Sequence, residues 1–152
     1  MTGPVTGPAP AARGPQPGER PVVLTFGTFD LFHIGHLRII ERAASLGRLV
    51  VGVSSDELNR RKKGRYPIYS QDERMAIVAS LACVEGVFLE EALERKREYL
   101  LRHGADMLVM GDDWQGRFDE FSDICRVLYL PRTPDVSTTS LIETIRALSH
   151  RP

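Results

Sequence analysis

The sequence predicts an α/β fold, an open and mainly parallel five-stranded sheet with helices on both faces, and three observations carry that expectation. From Pro21 onward, short β-branched runs alternate with helix-period segments, the pattern of parallel strands joined by helical crossovers. The runs at 22–26, 49–53, 87–89, 107–110 and 127–130 are nearly continuous in apolar residues, as strands buried on both faces are. The length of 152 residues, 42% hydrophobic, suits one domain with one core.

Taken in order, residues 1–20 hold five prolines and four glycines around Val5, the only large aliphatic side chain there. Such a segment cannot bury enough apolar surface to offset the entropy of ordering, so a disordered tail is expected before a single domain over 21–152. After the first strand, a helix over 35–46 places Leu37, Ile40, Ala43 and Ala44 on one side, with Gly47 expected as its left-handed cap. The basic run Arg60-Arg61-Lys62-Lys63-Gly64-Arg65 reads as a loop between the second strand and the second helix. That helix opens at Ser70-Gln71-Asp72-Glu73, which has the capping-box form, and runs toward Leu81. A third helix spans 94–103 and stops at Gly104. The last, 138–148, carries Leu141, Ile142, Ile145 and Leu148 at helical spacing.

Composition excludes several classes of function. With 20 Lys+Arg against 20 Asp+Glu the chain has no broad electrostatic footprint for nucleic acid or an anionic membrane. No apolar run approaches the roughly 20 residues that span a bilayer. The first twenty residues have no basic start followed by an apolar stretch, so no secretory signal is read and a cytoplasmic location is expected. Cys83 and Cys125 lie far apart without a CxxC spacing, which favours ordinary packing over a disulfide or structural zinc.

Chemistry concentrates between the first strand and the first helix, in Thr25-Phe26-Gly27-Thr28-Phe29-Asp30-Leu31-Phe32-His33-Ile34-Gly35-His36. In an open parallel sheet, ligands bind at the carboxyl end of a strand and the amino end of the following helix. Gly27 allows close backbone approach, and the free amides of a helix start attract an anion. Two imidazoles three residues apart can serve one phosphate, or form a metal half-site, or be unrelated; no third metal ligand at suitable spacing accompanies them. Asp30 can orient a neighbour or hold metal-bound water. Trp114 reads either as an aromatic lid on the core or as a substrate-side group. Before the last helix, Arg132 and Ser137-Thr138-Thr139 can bind phosphate oxygens, while Ser137 and Thr138 can equally be N-caps.

The segment from Gly27-Thr28-Phe29-Asp30 to His33-Ile34-Gly35-His36 resembles the GxFDxxHxGH signature of the cytidylyltransferase branch of the HxGH nucleotidyltransferase superfamily. Met110 to Asp119 and the stretch from Tyr129-Leu130-Pro131-Arg132-Thr133 to Val136-Ser137-Thr138-Thr139 resemble those members whose acceptor is sn-glycerol 3-phosphate. The resemblance implies a Rossmann-like fold and transfer of CMP from CTP to a small polyol phosphate, with a divalent metal, usually Mg2+, held mainly by the triphosphate. It implies catalytic roles for His33, His36, Lys63 and Arg132, and no covalent intermediate. Substrate contacts are implied for Gly27, Thr28, Phe29, Asp30, Lys62, Arg65, Arg74, Thr133, Ser137 and Thr138, with Gly111, Asp112, Asp113 and Trp114 around the cytosine. A homodimer is implied as well. Where relatives carry Arg-x-Val-Asp this chain has Ala82-Cys83-Val84-Glu85, and Pro134-Asp135 replaces a common Glu-Gly. Two other readings stand beside this one: cytidylyl or adenylyl transfer to another small phosphorylated acceptor such as ribitol phosphate, phosphoethanolamine or a sugar phosphate, and a nucleotide-binding module without catalysis.

Overall fold

The apolar runs fold in chain order into β1 (Val22–Gly27), α1 (Ile34–Ala44), β2 (Arg48–Ser54), α2 (Asp56–Lys63), α3 (Gln71–Ala79), β3 (Val84–Glu90), α4 (Lys96–Arg102), β4 (Met107–Gly111), β5 (Arg126–Leu130) and α5 (Thr138–Ser149). Single 3-10 turns stand at Leu93–Arg95, Asp112–Trp114 and Asp119–Asp123. This computed structural model describes residues 19–134 and 137–149.

The sheet has the order β3-β2-β1-β4-β5, and every pairing is parallel. Alternation along the central strand explains the two-sided core: Val23 and Leu24 are both fully buried, on opposite faces. Val23 joins Ile40 and Ala43 of α1 and Val78 of α3. Leu24 joins Tyr99 and Leu100 of α4 with Phe118, Phe121 and Cys125. The same division separates Leu108 from Val109 on β4.

Register then opens the site. β1 and β4 pair at Val23 with Met107 and Leu24 with Leu108. Beyond those pairs Thr25, Phe26 and Gly27 face Met110 and Gly111 across a crevice. This is the point where the strand order reverses, so the connections after β1 and β4 leave toward opposite faces.

Three local expectations are corrected. α1 ends at Ser45 in a right-handed conformation, and Gly47 is not a left-handed cap. Gly47 is there because a Cβ would lie 2.2 Å from the Pro21 carbonyl oxygen. The run 60–65 is not a loop throughout: its first four residues form the last turn of α2, which Gly64 closes at φ +75°. The expected helix over 94–103 begins as the 3-10 turn and becomes α4 at Lys96, with Gly104 at φ +60° beyond it. The expected tail falls largely outside the described residues, but Arg20 donates to the Ala44 carbonyl at 3.2 Å. Glu85 pairs with Arg48 of β2 at 3.0 Å on the exposed sheet edge. Asp135 lies outside the described residues. Among the described residues, no helix is long and apolar enough to cross a membrane.

Candidate active site

The turn after β1 is strained, and its neighbours hold it. Phe29 and Leu31 have φ of +55° and +46°, a region that side-chain-bearing residues avoid. Between them, Asp30 accepts from the amides of Leu31, Ile68 and Tyr69 at 3.1, 2.8 and 2.9 Å. Its carboxylate thus pins the 68–69 segment onto the turn, the orienting role that was one of its two readings. The buried Phe29 ring covers Gly27, where a Cβ would lie 2.8 Å from the ring. Behind the turn sits Arg74, expected at the substrate but fully buried. It donates to the carbonyls of Thr28, Ser54 and Tyr69 and to the Asp56 carboxylate, all within 3.0 Å, and does not line the cavity.

The two histidines cap α1 reciprocally. His33 Nδ1 accepts from the Gly35 amide at 3.0 Å, and His36 Nδ1 accepts from the His33 amide at 3.2 Å. An Nδ1 that accepts carries no proton, so each neutral ring carries its proton on Nε2, at the edge left for the cavity. The rings stack with centroids 3.8 Å apart. Burial lowers the His33 pKa. Burial, with the positive neighbours His33 and Lys63 outweighing Asp30, lowers that of His36 to about 4. Both rings are therefore neutral donors at pH 7. The unfolded chain takes up this proton near pH 6.5 and the folded chain only near 4, so stability is expected to fall as pH drops through that window. The His36 contribution is roughly 2 kcal/mol after screening at the ring's open edge. Urea midpoints for wild type and His36→Asn between pH 7 and 4 check this; the variant should lose less.

A cationic wall stands opposite. α2 starts on Ser55, whose hydroxyl caps the Leu58 amide at 3.0 Å, and its final turn carries Lys62 and Lys63 at the cavity. Desolvation lowers both lysine pKa values, opposed by Glu90 at Lys62 and by Asp30 at Lys63. Arg65 follows at the rim. Asn59 inside the same helix accepts from the Thr28 hydroxyl at 2.7 Å and fixes that side chain. On the floor lies a pair that sequence reasoning missed: Lys96 Nζ donates to Glu90 Oε2 at 2.8 Å, with both residues buried. A lone lysine in a charged helix gives no sequence signal; the nearest hint is Glu90 ending an apolar strand.

The third wall is the approach to α5. Ser137 is the N-cap, its hydroxyl accepting from the Ser140 amide at 3.0 Å while Ser140 Oγ accepts from the Ser137 amide at 3.1 Å. Thr138 is not a cap; its hydroxyl donates to the Asp30 carbonyl at 3.0 Å and ties α5 to the first motif. Ser137→Ala is accordingly expected to cost about 1 kcal/mol of stability in thermal melts. Thr138→Val should leave the cap intact. Arg132 and Thr133 line the cavity beside Pro131, whose carbonyl accepts from Arg42 of α1 at 2.9 Å.

At the end of β4, Gly111 lets Asp113 fold back, since a Cβ there would lie 2.6 Å from Asp113 Oδ1. Asp113 and Trp114 line the cavity, and Trp114 also packs on Phe118 at 5.4 Å, so it is both lid and wall. Asp112, expected at the substrate, is exposed and lies off the cavity wall. The other expected residues, from Gly27 through His33, His36, Lys62, Lys63 and Arg65 to Arg132, Thr133, Ser137 and Thr138, meet around one cavity of about 470 Å³.

Comparisons with known proteins give the family of the chain. A glycerol-3-phosphate cytidylyltransferase of Bacillus subtilis (strain 168) is 44% identical over 127 residues, spanning 83% of this chain and 98% of the relative. One from Staphylococcus aureus is 38% identical over 120 residues, spanning 78% and 90%. The crystal structure of a lipopolysaccharide core biosynthesis protein from Thermoplasma volcanium shares the fold, with a TM-score of 0.63 at 22% identity over 74% of this chain and 97% of that one. The family model described as cytidylyltransferase-like matches residues 24–144, and the chain belongs to that family.

Proposed function

We propose that this protein transfers CMP from CTP to sn-glycerol 3-phosphate, giving CDP-glycerol and pyrophosphate. An acceptor phosphate oxygen attacks the α-phosphorus, the bond from that phosphorus to the bridging oxygen breaks, and pyrophosphate leaves with the electron pair. The observation that carries the reading is the convergence on one cavity of two Nε2–H donors, the α5 N-terminus with Arg132, and the cationic wall. Such a site positions two anionic reactants and neutralises charge that grows on the leaving group; it needs no nucleophile of its own. The triphosphate lies between the histidines and α5, which puts the acceptor phosphate at Lys62, Lys63 and Lys96. The name of the relatives supports glycerol 3-phosphate as that acceptor.

Magnesium enters the proposal as a passenger of the triphosphate. Among the described residues no three His, Cys, Asp or Glu groups gather to hold a metal. Of the two cavity aspartates, Asp30 already accepts from three amides and Asp113 is exposed, which fits Asp113 to a metal-bound water. When bound, the ion supplies further neutralisation of phosphate charge. A cytoplasmic homodimer supplying CDP-glycerol for polyol-phosphate polymers such as teichoic acid completes the reading; sedimentation equilibrium tests the assembly.

Pyrophosphate release with CTP, ATP or GTP against glycerol 3-phosphate, ribitol phosphate and phosphoethanolamine tests the reaction. CTP with glycerol 3-phosphate should exceed every other pair in kcat/KM, and equal use of ATP would overturn the cytidylyl assignment. Arg132→Lys is expected to lower kcat/KM for CTP by roughly tenfold or more despite keeping the charge, because an ammonium lacks the planar fork that grips two phosphate oxygens. Initial rates at matched folding check it.

A further inference from the structure

We infer that Glu90 is a positioning residue for the acceptor: its carboxylate fixes the Lys96 ammonium on the cavity floor, where Lys96 meets the acceptor phosphate. The inference rests on the proposed placement of the acceptor end. Glu90 closes β3 and Lys96 opens α4, and the turn Leu93–Arg95 folds one back over the other. Glu90 and Lys96 are 1% and 3% exposed. Glu90 Oε2 accepts from Nζ at 2.8 Å, and Oε1 accepts from the Ser54 hydroxyl at 3.3 Å. Nζ also lies 3.7 Å from the centroid of the Phe26 ring and 5.0 Å from that of Phe118.

Stability does not account for the pair, because well-packed apolar residues would serve a core as well as two buried charges. Its position does. Glu90, Lys96, Ser54, Phe26 and Phe118 all line the cavity. An ammonium has three hydrogens, and one goes to Glu90 while a ring face supports the group from beneath. The remaining donor capacity is available to an anion entering from above. Lys62 of α2 feels the same carboxylate, and the two ammoniums repel each other. Glu90 is therefore the counter-charge that lets two lysines stand together before the acceptor arrives. Desolvation lowers the Lys96 pKa and Glu90 opposes it, while Lys63 and Arg74 add to the lowering at Lys62. Without the carboxylate, burial and the Lys62 ammonium favour loss of the Lys96 proton.

Steady-state kinetics with CTP and glycerol 3-phosphate test this across pH 6.5 to 9.5. Glu90→Gln should raise KM for the acceptor by roughly tenfold, the scale of one charge-assisted contact, with KM for CTP within about twofold. It should also move the alkaline fall of kcat/KM for the acceptor to lower pH. Glu90→Asp, which keeps the charge, should return the alkaline limb toward wild type. Ser54→Ala, a milder change that keeps the ion pair, should give a smaller shift in the same direction and serves if Glu90→Gln does not fold. Equal changes in both KM values, or an unmoved alkaline limb in Glu90→Gln, would overturn the positioning role; with Glu90→Gln unfolded, an unmoved limb in Ser54→Ala would do so. Lys96→Met separates the two levels of the argument. If it leaves the acceptor KM unchanged, the acceptor placement itself fails; if it raises that KM while Glu90→Gln does not, only the role of Glu90 fails.

Discussion

His36→Ala is expected to lower kcat by roughly 10²- to 10³-fold, the cost of losing one preorganised donor to charge that develops in the transition state. The substitution does two things, because the ring both caps α1 through Nδ1 and offers Nε2–H to the cavity. His36→Asn separates them: its amide oxygen can replace Nδ1 as acceptor from the His33 amide, but nothing replaces the far-side donor. A folded His36→Asn enzyme with CTP affinity near wild type and turnover as low as His36→Ala assigns the loss to Nε2–H. Wild-type turnover in that variant would make His36 a cap only. His33→Ala should behave alike, since the two rings are stacked and equally engaged at Nδ1.

Arg74→Lys should destabilise the fold by about 3 kcal/mol or more, the largest effect on stability expected from a single site here. Four of the guanidinium's five N–H groups serve three carbonyls and Asp56 in a fully buried position. A lysine reaches at most part of that set and leaves buried carbonyls without donors. Because these carbonyls belong to Thr28, Ser54 and Tyr69, the ends of β1 and β2 and the segment that Asp30 holds would loosen together. Urea unfolding with and without CTP measures both parts: a lower midpoint without ligand, and a smaller gain on adding it.

Only part of this was readable beforehand. Five apolar runs became five strands because each had to be buried on both faces, and that requirement writes a pattern local in sequence. α2 was missed for the converse reason. Asp56-Glu57-Leu58-Asn59-Arg60-Arg61-Lys62-Lys63 has a single large apolar side chain, so hydrophobic periodicity is silent. The helix is specified at its ends instead, by the Ser55 cap, acids in the first turn, bases in the last and Gly64 beyond. Capping chemistry was the available signal.

By itself the sequence determined the α/β class, the succession of the five strands with four of the five helices, and the Gly27 to His36 segment as the seat of anion chemistry, because those depend on neighbours in the chain. Tertiary structure alone decided which charged side chains reach the cavity. Arg74 and Asp112 stand near site residues in the chain, yet one is buried beneath the turn and the other points away. Glu90 and Lys96 sit in an ordinary charged stretch, yet the return of α4 over the end of β3 carries them to its floor. Burial and pairing of a charge depend on what packs against it from elsewhere in the chain, which no local pattern of residues records.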